Sequence, residues 1–465
     1  MAAEQTEHLI PPSRLTLKDR VLYGLGHFGL SLLGYMVVAC VVPFYNPPAA
    51  ELARGAHALV ASATLIAAIL FFSRMIDFVA DPLAGFLSDR THTRWGRRKP
   101  YMVVSAPLLV ISFILLWRPP TANPSDANAW YAGILLTITF VLFAGFAAPY
   151  LGLLPEIAHR SRERVRLAMV QGAFNLLGTA VAAIGVGLLS PHIGFPKTAV
   201  AVSGLCLLAM WASCLGPGEH HGEAEHNVKP DLPLAQAVRA TFTNVPFLLY
   251  WGGYYMFLVP LMVILAGMEY TTSCLMKLPP GASGSISAVA LLGGLLLLPV
   301  SKWLAEQRGP RWTFLFGLLW LAVTAPLLGL VGLQGSAATA LWVARGGALL
   351  LSPAVAVLFT VPYTVLADIC DLDFRRTGNH REAIYFGFQG TMLKGGWGIA
   401  PLIATLVITV CGVSGPLQLG YHMFGPVAGV MALLGFGLFL FYPERRVRAE
   451  AAALAEDSLE IALKP

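Results

Sequence analysis

Long apolar segments recur along the whole chain, and they constrain its fold more strongly than any other feature. A helix needs about 20 apolar residues to cross a hydrocarbon core of ~30 Å. Twelve such segments occur, at approximately 20–44, 58–88, 100–117, 129–153, 166–190, 196–215, 245–268, 284–304, 312–333, 338–366, 383–412 and 422–442. Charged residues make up only 12% of the 465 positions, about half of the share in a soluble domain. The sequence therefore predicts an all-α polytopic membrane protein with 12 transmembrane helices.

Basic residues are concentrated in every second connection between these segments. They are Arg90, Arg94, Arg97, Arg98, Lys99, Arg160, Arg162, Arg164, Arg166, Lys302, Arg308, Arg311, Arg375, Arg376, Arg381, Arg445, Arg446 and Arg448. The intervening connections hold Arg54, Arg118, Lys197 and Lys277. Because cytoplasmic loops carry an excess of Lys and Arg, this alternation predicts that both termini are cytoplasmic. It also accounts for the formal net charge of +6 without a nucleic-acid partner.

A polar stretch divides the apolar segments into two groups of six. The predicted organisation is a cytoplasmic N-terminal segment at 1–19, a six-helix bundle at 20–215, a cytoplasmic linker at 216–244, a second bundle at 245–442 and a cytoplasmic tail at 443–465. Two such bundles, related by an axis along the membrane normal, place a substrate site near the bilayer midplane between them. We therefore expect a multi-pass protein of a bacterial inner membrane or a plasma membrane, which handles a small-molecule solute as a monomer.

Two acidic residues lie one helical turn apart inside the second apolar segment. The i, i+4 spacing of Asp77 and Asp81 places both carboxylates on one helix face, and Arg74 precedes them by another turn. An ionisable side chain at the bilayer centre costs about 2.5–3.5 kcal/mol on insertion scales, and such residues commonly mark ion or substrate pathways. The spacing therefore predicts ion-coupled transport that uses these two acids.

Lys394 lies well inside the eleventh apolar segment, in the sequence QGTMLKGG. A lysine within the membrane needs a charged partner, so we expect it to pair with Asp77 or Asp81 across the two bundles. The alternative is a lysine whose long side chain extends to the membrane surface. With Arg74 nearby, the pairing would place the charges that control coupling at the midplane.

The connection after the second segment reads Gly85-x-x-x-Asp89-Arg90 and continues with Arg97 and Arg98. This spacing resembles the signature of the loop between helices 2 and 3 in the major facilitator superfamily. An acid near a helix end can pair with the arginines and hold the two bundles in one conformation. We therefore predict a cytoplasmic gate at this connection. The alternative is a solvated loop that only sets the topology, which would explain the arginines but not the spacing of Gly85 and Asp89.

A second cytoplasmic gate is predicted at the end of the tenth segment. Asp368 and Asp371 stand there, close in sequence to Arg375 and Arg376. Salt bridges between these residues would mirror the first gate in the second half of the chain. A plain hydrated loop is the alternative interpretation.

Several longer stretches together resemble one family of cation-coupled transporters. They are YGLGHFG at 23–29, Phe44-Tyr45, the acid-containing stretch 74–101, PYLGLLPEI at 149–157 and ADICDLDFRRTGNHREAIYFGFQGTMLKGG at 367–396. In order and spacing they are similar to the glycoside-pentoside-hexuronide:cation symporter family. The resemblance implies the major facilitator fold with two six-helix bundles, and symport of a solute with a cation and no cofactor.

The resemblance also implies roles for individual residues. The family's paired helix-2 acids, which serve the cation site, fall on Asp77 and Asp81, and its helix-11 lysine falls on Lys394. The coupling ion would be H⁺ or Na⁺, and Na⁺ would bind at the two acids. Apart from that Na⁺, no metal is expected.

The departures from the family pattern bear on both the cargo and the ion. Three charged sugar-contact positions of the family align with Ser31, Ala147 and Gly172. Two oxygen-bearing positions that help to hold sodium align with Ala80 and Ala144. Sodium needs several oxygen ligands, whereas a proton needs one titratable carboxylate. The sequence therefore favours proton coupling over sodium coupling, and it argues against a galactoside as the cargo.

Further substrate-binding candidates lie in the first and seventh segments. His27 could bind the substrate or relay protons, because imidazole titrates near pH 6.5, and Ser31 follows it by one turn. Trp251, Tyr254 and Tyr255 could stack on a substrate ring. Packing in the helix core is the alternative interpretation for the histidine and for the three aromatic residues.

These features together predict a secondary active transporter. We expect cation-coupled symport of a small polar organic solute, such as a sugar or a glycoside, by alternating access. One alternative is the transport of an amphiphile such as a lysolipid, which the apolar residues at the expected sugar contacts favour. Another is a membrane receptor or scaffold that does not transport. The sequence contains no nucleophile elbow, phosphate loop or HExxH motif, so an enzyme is not expected.

Overall fold

The computed structural model describes residues 15–53, 57–91, 93–157, 161–216, 241–278, 282–333, 336–377, 382–412, 418–444 and 447. Within these ranges the backbone is helical, with short connections and no strand. The helices of the first half are α1 (Leu17–Tyr45), α2 (Ala49–Leu52), α3 (Ala63–Met75), α4 (Asp77–Arg90), α5 (Lys99–Leu116), α6 (Asp126–Ile157) and α7 (Ser161–Cys214). Those of the second half are α8 (Val245–Tyr270), α9 (Ser283–Arg308), α10 (Pro310–Thr324), α11 (Ala337–Thr377), α12 (Glu382–Cys411), α13 (Leu419–His422) and α14 (Phe424–Phe439). A π-helical turn at Thr271–Leu275 continues α8, and a 3₁₀ turn at Ala325–Leu330 continues α10.

The described helices account for the twelve predicted membrane spans. Ten of them are long and apolar enough to cross a bilayer. The longest, α7, is broken at Gly194, whose φ of 76° and ψ of 164° are not helical. Counting both arms of α7, and adding the shorter apolar helix α14, gives the predicted twelve. The all-α polytopic fold is therefore confirmed.

The bounds of two helices differ from the predicted segments. The second segment is divided between α3 and α4, with the interruption at Ile76. The tenth segment was expected to end near 366, but α11 continues to Thr377. Hydropathy identifies the part of a helix that lies in hydrocarbon, so a polar extension beyond the membrane gives no apolar signal. Asp368 therefore lies on the helix rather than in a loop.

The two ends of the bundle are defined by contacts between connections. At one end Lys99 Nζ donates a hydrogen bond to the Gly216 carbonyl, 3.0 Å away; we call it the basic end. At the other, the far end, Leu59 N donates to the Tyr45 carbonyl at 2.8 Å, and Asn128 Nδ2 donates to the Leu59 carbonyl at 2.9 Å. The positive-inside pattern predicts that the basic end faces the cytoplasm.

Helices from the two halves pack against each other along the length of the bundle. Within the first half α1 packs on α7, and within the second half α9 packs on α11 and α8 on α14. Contacts between the halves join α1 to α8, α3 to α12, and α7 to both α9 and α11. Most of the predicted linker and of both predicted tails lies outside the described residues, so the domain boundaries stay a prediction.

Candidate functional site

An ion pair between the two halves lies at the centre of the candidate site. Lys394 on α12 donates hydrogen bonds to both carboxylate oxygens of Asp81 on α4. Lys394 is buried, with 8% of its surface exposed, and the Asp81 side chain is about one quarter exposed, at 25%. Of the two acids predicted as partners, the structure places Asp81 against the lysine. The Asp77 side chain lies outside the described part of the chain.

Small residues allow α12 to come close to the first half at this point. A Cβ atom on Gly398 would lie 3.0 Å from Arg74 Cβ on α3. A Cβ atom on Gly395 would lie 3.4 Å from the Tyr255 hydroxyl on α8. The glycines around Lys394 therefore bring its helix against α3 and α8, and the lysine can reach an acid of the opposite half.

Arg74 is a second buried cation beside the pair, with 1% of its surface exposed. Its Nε donates to the Lys394 carbonyl at 3.3 Å. Its guanidinium carbon lies 4.4 Å from the ring centre of Phe140, 4.9 Å from that of Phe143 and 4.9 Å from that of Trp397. A guanidinium stays charged in a protein, and stacking on aromatic faces stabilises it in a desolvated site.

Phe143 is shared by the two cations. Lys394 Nζ lies 5.5 Å from the centre of the ring that also contacts Arg74. Neutralising Asp81 would therefore leave a lysine and an arginine close to one ring, with less negative charge between them. Like charges in a poorly solvated site repel strongly, so the arrangement responds to the charge on a single carboxylate.

The predicted residues His27 and Ser31 belong to a polar network in the first half. Gln171 Nε2 donates to His27 Nδ1 at 3.0 Å. Ser31 Oγ lies 2.7 Å from Asn175 Oδ1 and 2.8 Å from the His27 carbonyl. Sequence reasoning missed Gln171 and Asn175, although polar residues four apart in an apolar helix were a usable signal.

A cavity of about 70 Å³ lies between the halves, and the lysine-bearing helix α12 contributes Leu393 and Trp397 to its lining. Its polar lining residues are Tyr35, Asn175, Thr179 and Ser287, and its lining from α8, α11 and α12 is apolar apart from the Trp397 indole. Trp397 also faces Arg74, so one ring contacts both the cavity and the buried arginine.

The three aromatic candidates on α8 are placed differently from one another. Tyr254 is buried and stacks on Tyr250, with ring centres 5.9 Å apart. Tyr255 is half-buried beside the helix turn that carries Lys394. Trp251 is exposed and stacks on Tyr255 at 6.3 Å. None of the three is among the described residues that line the cavity.

The predicted gate after the second segment is partly described. A Cβ atom on Gly85 would meet open space, and Arg90 is exposed. Arg97 and Arg98 are half-buried, and a Cβ atom on Gly152 would lie 1.6 Å from Arg98 Nη1. The Arg98 side chain therefore reaches from the start of α5 to Gly152 on α6.

Two acids of the predicted gates, Asp89 and Asp371, have side chains outside the described part of the chain. Asp368 is half-buried on α11. Both gates therefore stay predictions. No group of three or more potential metal ligands occurs among the described residues.

The positions that depart from the family pattern are helix contacts. Three of them are buried alanines: Ala80, Ala144 and Ala147, with 8%, 0% and 1% of their surface exposed. An alanine side chain has no oxygen that could contact an ion or a sugar. A Cβ atom on Gly172 would lie 3.3 Å from the Phe359 carbonyl. This glycine therefore allows α7 to approach α11, where the family has a charged sugar contact.

Comparison with known proteins places the chain in a transporter family. A family described as "MFS/sugar transport protein" matches residues 22–442. An isoprimeverose transporter of Lactiplantibacillus pentosus is 22% identical over 440 residues, which cover 88% of this chain and 84% of the relative. The sodium-dependent lysophosphatidylcholine symporter 1 of Mus musculus is 23% identical over 441 residues, which cover 83% and 80%.

Solved structures support the same fold. Two crystal structures of the nucleoside transporter NupG, one of a mutant, superpose with TM-scores of 0.62 and 0.59 at 12% and 11% identity. They cover 92% and 91% of this chain, and 100% and 99% of the NupG chains. The resemblance to the glycoside-pentoside-hexuronide:cation symporters is confirmed at the level of the family. The chain belongs to the MFS/sugar transport family, and it is an integral multi-pass transporter rather than an enzyme.

Proposed function

We propose that the protein is a cation-coupled symporter that works by alternating access, with Asp81 and Lys394 as its coupling element. The observation that carries this proposal is the ion pair that joins α4 of one half to α12 of the other. Breaking a partly buried pair by removing one charge is costly, because the remaining charge, here that of the buried Lys394, is left in a poor solvent. A cation that binds at Asp81 supplies a new partner for the carboxylate, and the pair then separates at lower cost.

The coupling cycle follows from this exchange of partners. A proton or Na⁺ that reaches Asp81 neutralises it, Lys394 loses its counter-charge, and the two halves are released to rock around the cargo. Asp77 contributes to the same cation site, and Arg74 keeps a fixed positive charge beside it. An inward gradient drives accumulation, since each elementary charge moved across the membrane contributes about 2.3 kcal/mol per 100 mV.

Proton coupling is favoured over sodium coupling. Ala80 on the acid-bearing helix and Ala144 on α6 are buried and add no oxygen ligands, whereas a proton needs one carboxylate. The name of the lysophosphatidylcholine relative states sodium dependence, which makes Na⁺ at Asp77 and Asp81 the rival. We also propose that both termini are cytoplasmic and that the protein is a monomer.

A small polar solute, such as a sugar or a glycoside, is the first candidate cargo. The family description and the isoprimeverose relative support it. An amphiphile such as a lysolipid is the second candidate, and the lining of the cavity favours it. The polar residues Tyr35, Asn175, Thr179 and Ser287 lie on α1, α7 and α9, and the facing surface of α8 and α11 is apolar. An amphiphile could place its polar part and its apolar part on these two surfaces.

Transport in proteoliposomes tests the proposal directly. A pH gradient and a sodium gradient are imposed separately, with labelled sugars, glycosides and lysolipids offered as cargo. Accumulation driven by the pH gradient supports proton symport. Accumulation driven only by the sodium gradient would instead identify Na⁺ as the coupling ion. Uptake that neither gradient drives above equilibrium would remove the coupling proposal.

A further inference from the structure

A hydrogen bond outside the candidate site joins the two halves at the far end of the bundle. Ser273 Oγ in the π-helical turn donates to Glu51 Oε1 on α2, 2.7 Å away. The two residues are 222 positions apart and belong to different halves. Glu51 is 7% exposed and Ser273 is fully buried. A carboxylate of the first half is therefore enclosed against the second half.

The π-helical turn is anchored within the second half. Glu269, one residue before Tyr270, accepts a hydrogen bond from Ser283 at the start of α9. Met276 N donates to the Thr271 carbonyl at 3.3 Å, and Leu278 N donates to the Thr272 carbonyl at 3.1 Å. π-helical turns are rare and frequently occur at functional sites. This one presents a serine hydroxyl to the opposite half.

Hydrogen bonds within the first half likewise fix the segment that carries Glu51. Leu52 N donates to the Pro48 carbonyl at 3.1 Å, which closes the short helix α2. Asn46 Nδ2 donates to the Val60 carbonyl at 3.0 Å, and this contact fixes the chain that leads into α2. The hydrogen bond between Glu51 and Ser273 therefore joins two well-defined corners rather than two free side chains.

We propose that Glu51 and Ser273 form a latch that holds the far end closed, with Glu51 as a positioning residue of the transport cycle. The inference rests on the alternating access proposed above, but not on Asp81 or on the identity of the cargo. Burial of a carboxylate costs solvation, and the serine hydroxyl offsets part of that cost in the closed state. Opening breaks the hydrogen bond and returns Glu51 to water, so the latch releases without a large barrier.

Replacing Ser273 by alanine tests the latch, and the same turn offers a matched control. Ser273→Ala removes the hydroxyl that crosses between the halves. Thr271→Val likewise removes a hydroxyl, here with a methyl group in its place. Thr271 Oγ1, however, donates to the Gly267 carbonyl of its own helix at 3.2 Å. A general weakening of the π-helical turn would affect both variants, whereas loss of the latch is specific to Ser273→Ala.

Two native thiols report on the opening of the far end. Cys274 follows Ser273 in the π-helical turn of the second half, and Cys40 of the first half lies on α1, just before its far-end residue Tyr45. Both are buried, at 7% and 1% exposure. Permeabilised cells are treated with a hydrophilic maleimide, and labelled peptides are quantified by mass spectrometry. Cys206, buried in the core of the first half, serves as the internal reference for unfolding.

We expect Ser273→Ala to raise the labelling rates of both Cys40 and Cys274 about tenfold, the factor expected for loss of a hydrogen bond to a charged group. Thr271→Val should keep both rates near those of the parent. Ser273→Thr, which restores a hydroxyl, should also behave as the parent. In a Glu51→Ala background, Ser273→Ala should add no further increase, because the two residues act as one unit.

The opposite results would overturn the latch. Unchanged rates at both thiols would show that the hydrogen bond does not hold the far end closed. A rise at Cys274 alone would indicate local loosening of the π-helical turn, and a rise at Cys206 would indicate unfolding; both contradict a latch. Labelling does not depend on transport. A parent protein that accumulates no cargo would therefore contradict the proposed symport, not the latch.

Discussion

Two contacts between the halves are stabilised by different interactions: the contact around Lys394 by charge, and the contact between α7 and α9 by close packing. Around Lys394, α12 meets α3 and α4 through an ion pair and a buried arginine. Between α7 and α9 the backbones themselves touch: a Cβ atom on Gly284 would lie 2.2 Å from the Ala183 carbonyl, and one on Gly187 would lie 2.5 Å from Ser285 N. The first contact depends on charge, and the second on shape.

The difference indicates how one molecule can both switch and remain assembled. A charged contact loses its attraction when one carboxylate is neutralised, so a bound cation can control it. A contact between small residues holds through dispersion and close approach, which no cation alters. We infer that the ion pair separates during transport, while the α7–α9 contact acts as the pivot about which the halves turn.

Asp81→Asn should have the largest effect, because it removes the titratable group of the charged contact. The amide oxygen still accepts a hydrogen bond from Lys394, so the fold should be retained. We expect accumulation of cargo against its gradient to be abolished in proteoliposomes, while equilibration down a gradient continues. If this variant still concentrates cargo, the charge on Asp81 does not couple transport to the ion gradient.

A surface acid provides the control for that variant. Glu306 on α9 is exposed and forms an i, i+4 pair with Lys302 at 3.8 Å. Glu306→Gln makes the same chemical change where solvent screens the charge, and exposed pairs of this kind contribute about 0.3–0.5 kcal/mol. Its uptake should match that of the parent.

Gly284→Ala tests the contact that depends on shape. The added methyl group would collide with the Ala183 carbonyl of α7, and overpacking of this kind usually costs about 1–3 kcal/mol. We expect a lower thermal unfolding midpoint and slower uptake, with the dependence of uptake on the ion gradient unchanged. A loss of coupling in this variant would show that the two contacts do not have separate roles.

Gly204→Ala is the control, on the second arm of α7, beyond the break at Gly194. Its Cβ atom would meet nothing within 4 Å. Alanine is a better helix former than glycine by up to about 1 kcal/mol, so the unfolding midpoint should stay the same or rise. A fall as large as that of Gly284→Ala would remove the steric explanation.

The charged contact was largely predictable from the sequence, because desolvation leaves few options for a charge in the membrane. Lys394 needs a partner, and the sequence offers two acids in the opposite half. Which acid it meets was left open, since Asp77 and Asp81 share a helix face and the interruption at Ile76 gives no sequence signal. The twelve spans followed from hydropathy in the same way, and the break at Gly194 lies between two predicted segments.

The contact that depends on shape was not predictable from one sequence. Gly284 and Gly187 are two glycines among 46 in the chain, and nothing local shows that they face each other. The rings around Arg74 were missed for a similar reason, since Phe140 and Phe143 come from α6 and Trp397 from α12. Such packing depends on tertiary geometry, whereas desolvation acts on each residue alone.

Arg74→Lys should have an intermediate effect, and it separates charge from shape within the charged contact. Lysine keeps the positive charge but loses the planar group that stacks on Phe140, Phe143 and Trp397. We expect a loss of stability of about 1–2 kcal/mol, the scale of a desolvated cation–π contact, and uptake reduced severalfold. Gradient dependence should persist, because Asp81 and Lys394 are intact. Uptake and unfolding equal to the parent would mean that charge alone is required.

Thr64→Val should have the smallest effect, and it concerns the same helix pair as the charged contact. Thr64 Oγ1 on α3 lies 3.3 Å from Thr409 Oγ1 on α12, in an exposed position near the far end. Water replaces such a hydrogen bond readily, and surface substitutions usually change stability by less than about 0.5 kcal/mol. Uptake and the unfolding midpoint should therefore match those of the parent. If this variant impaired coupling as Asp81→Asn does, proximity of α3 and α12 would control transport, and the charge on Asp81 would lose its special role.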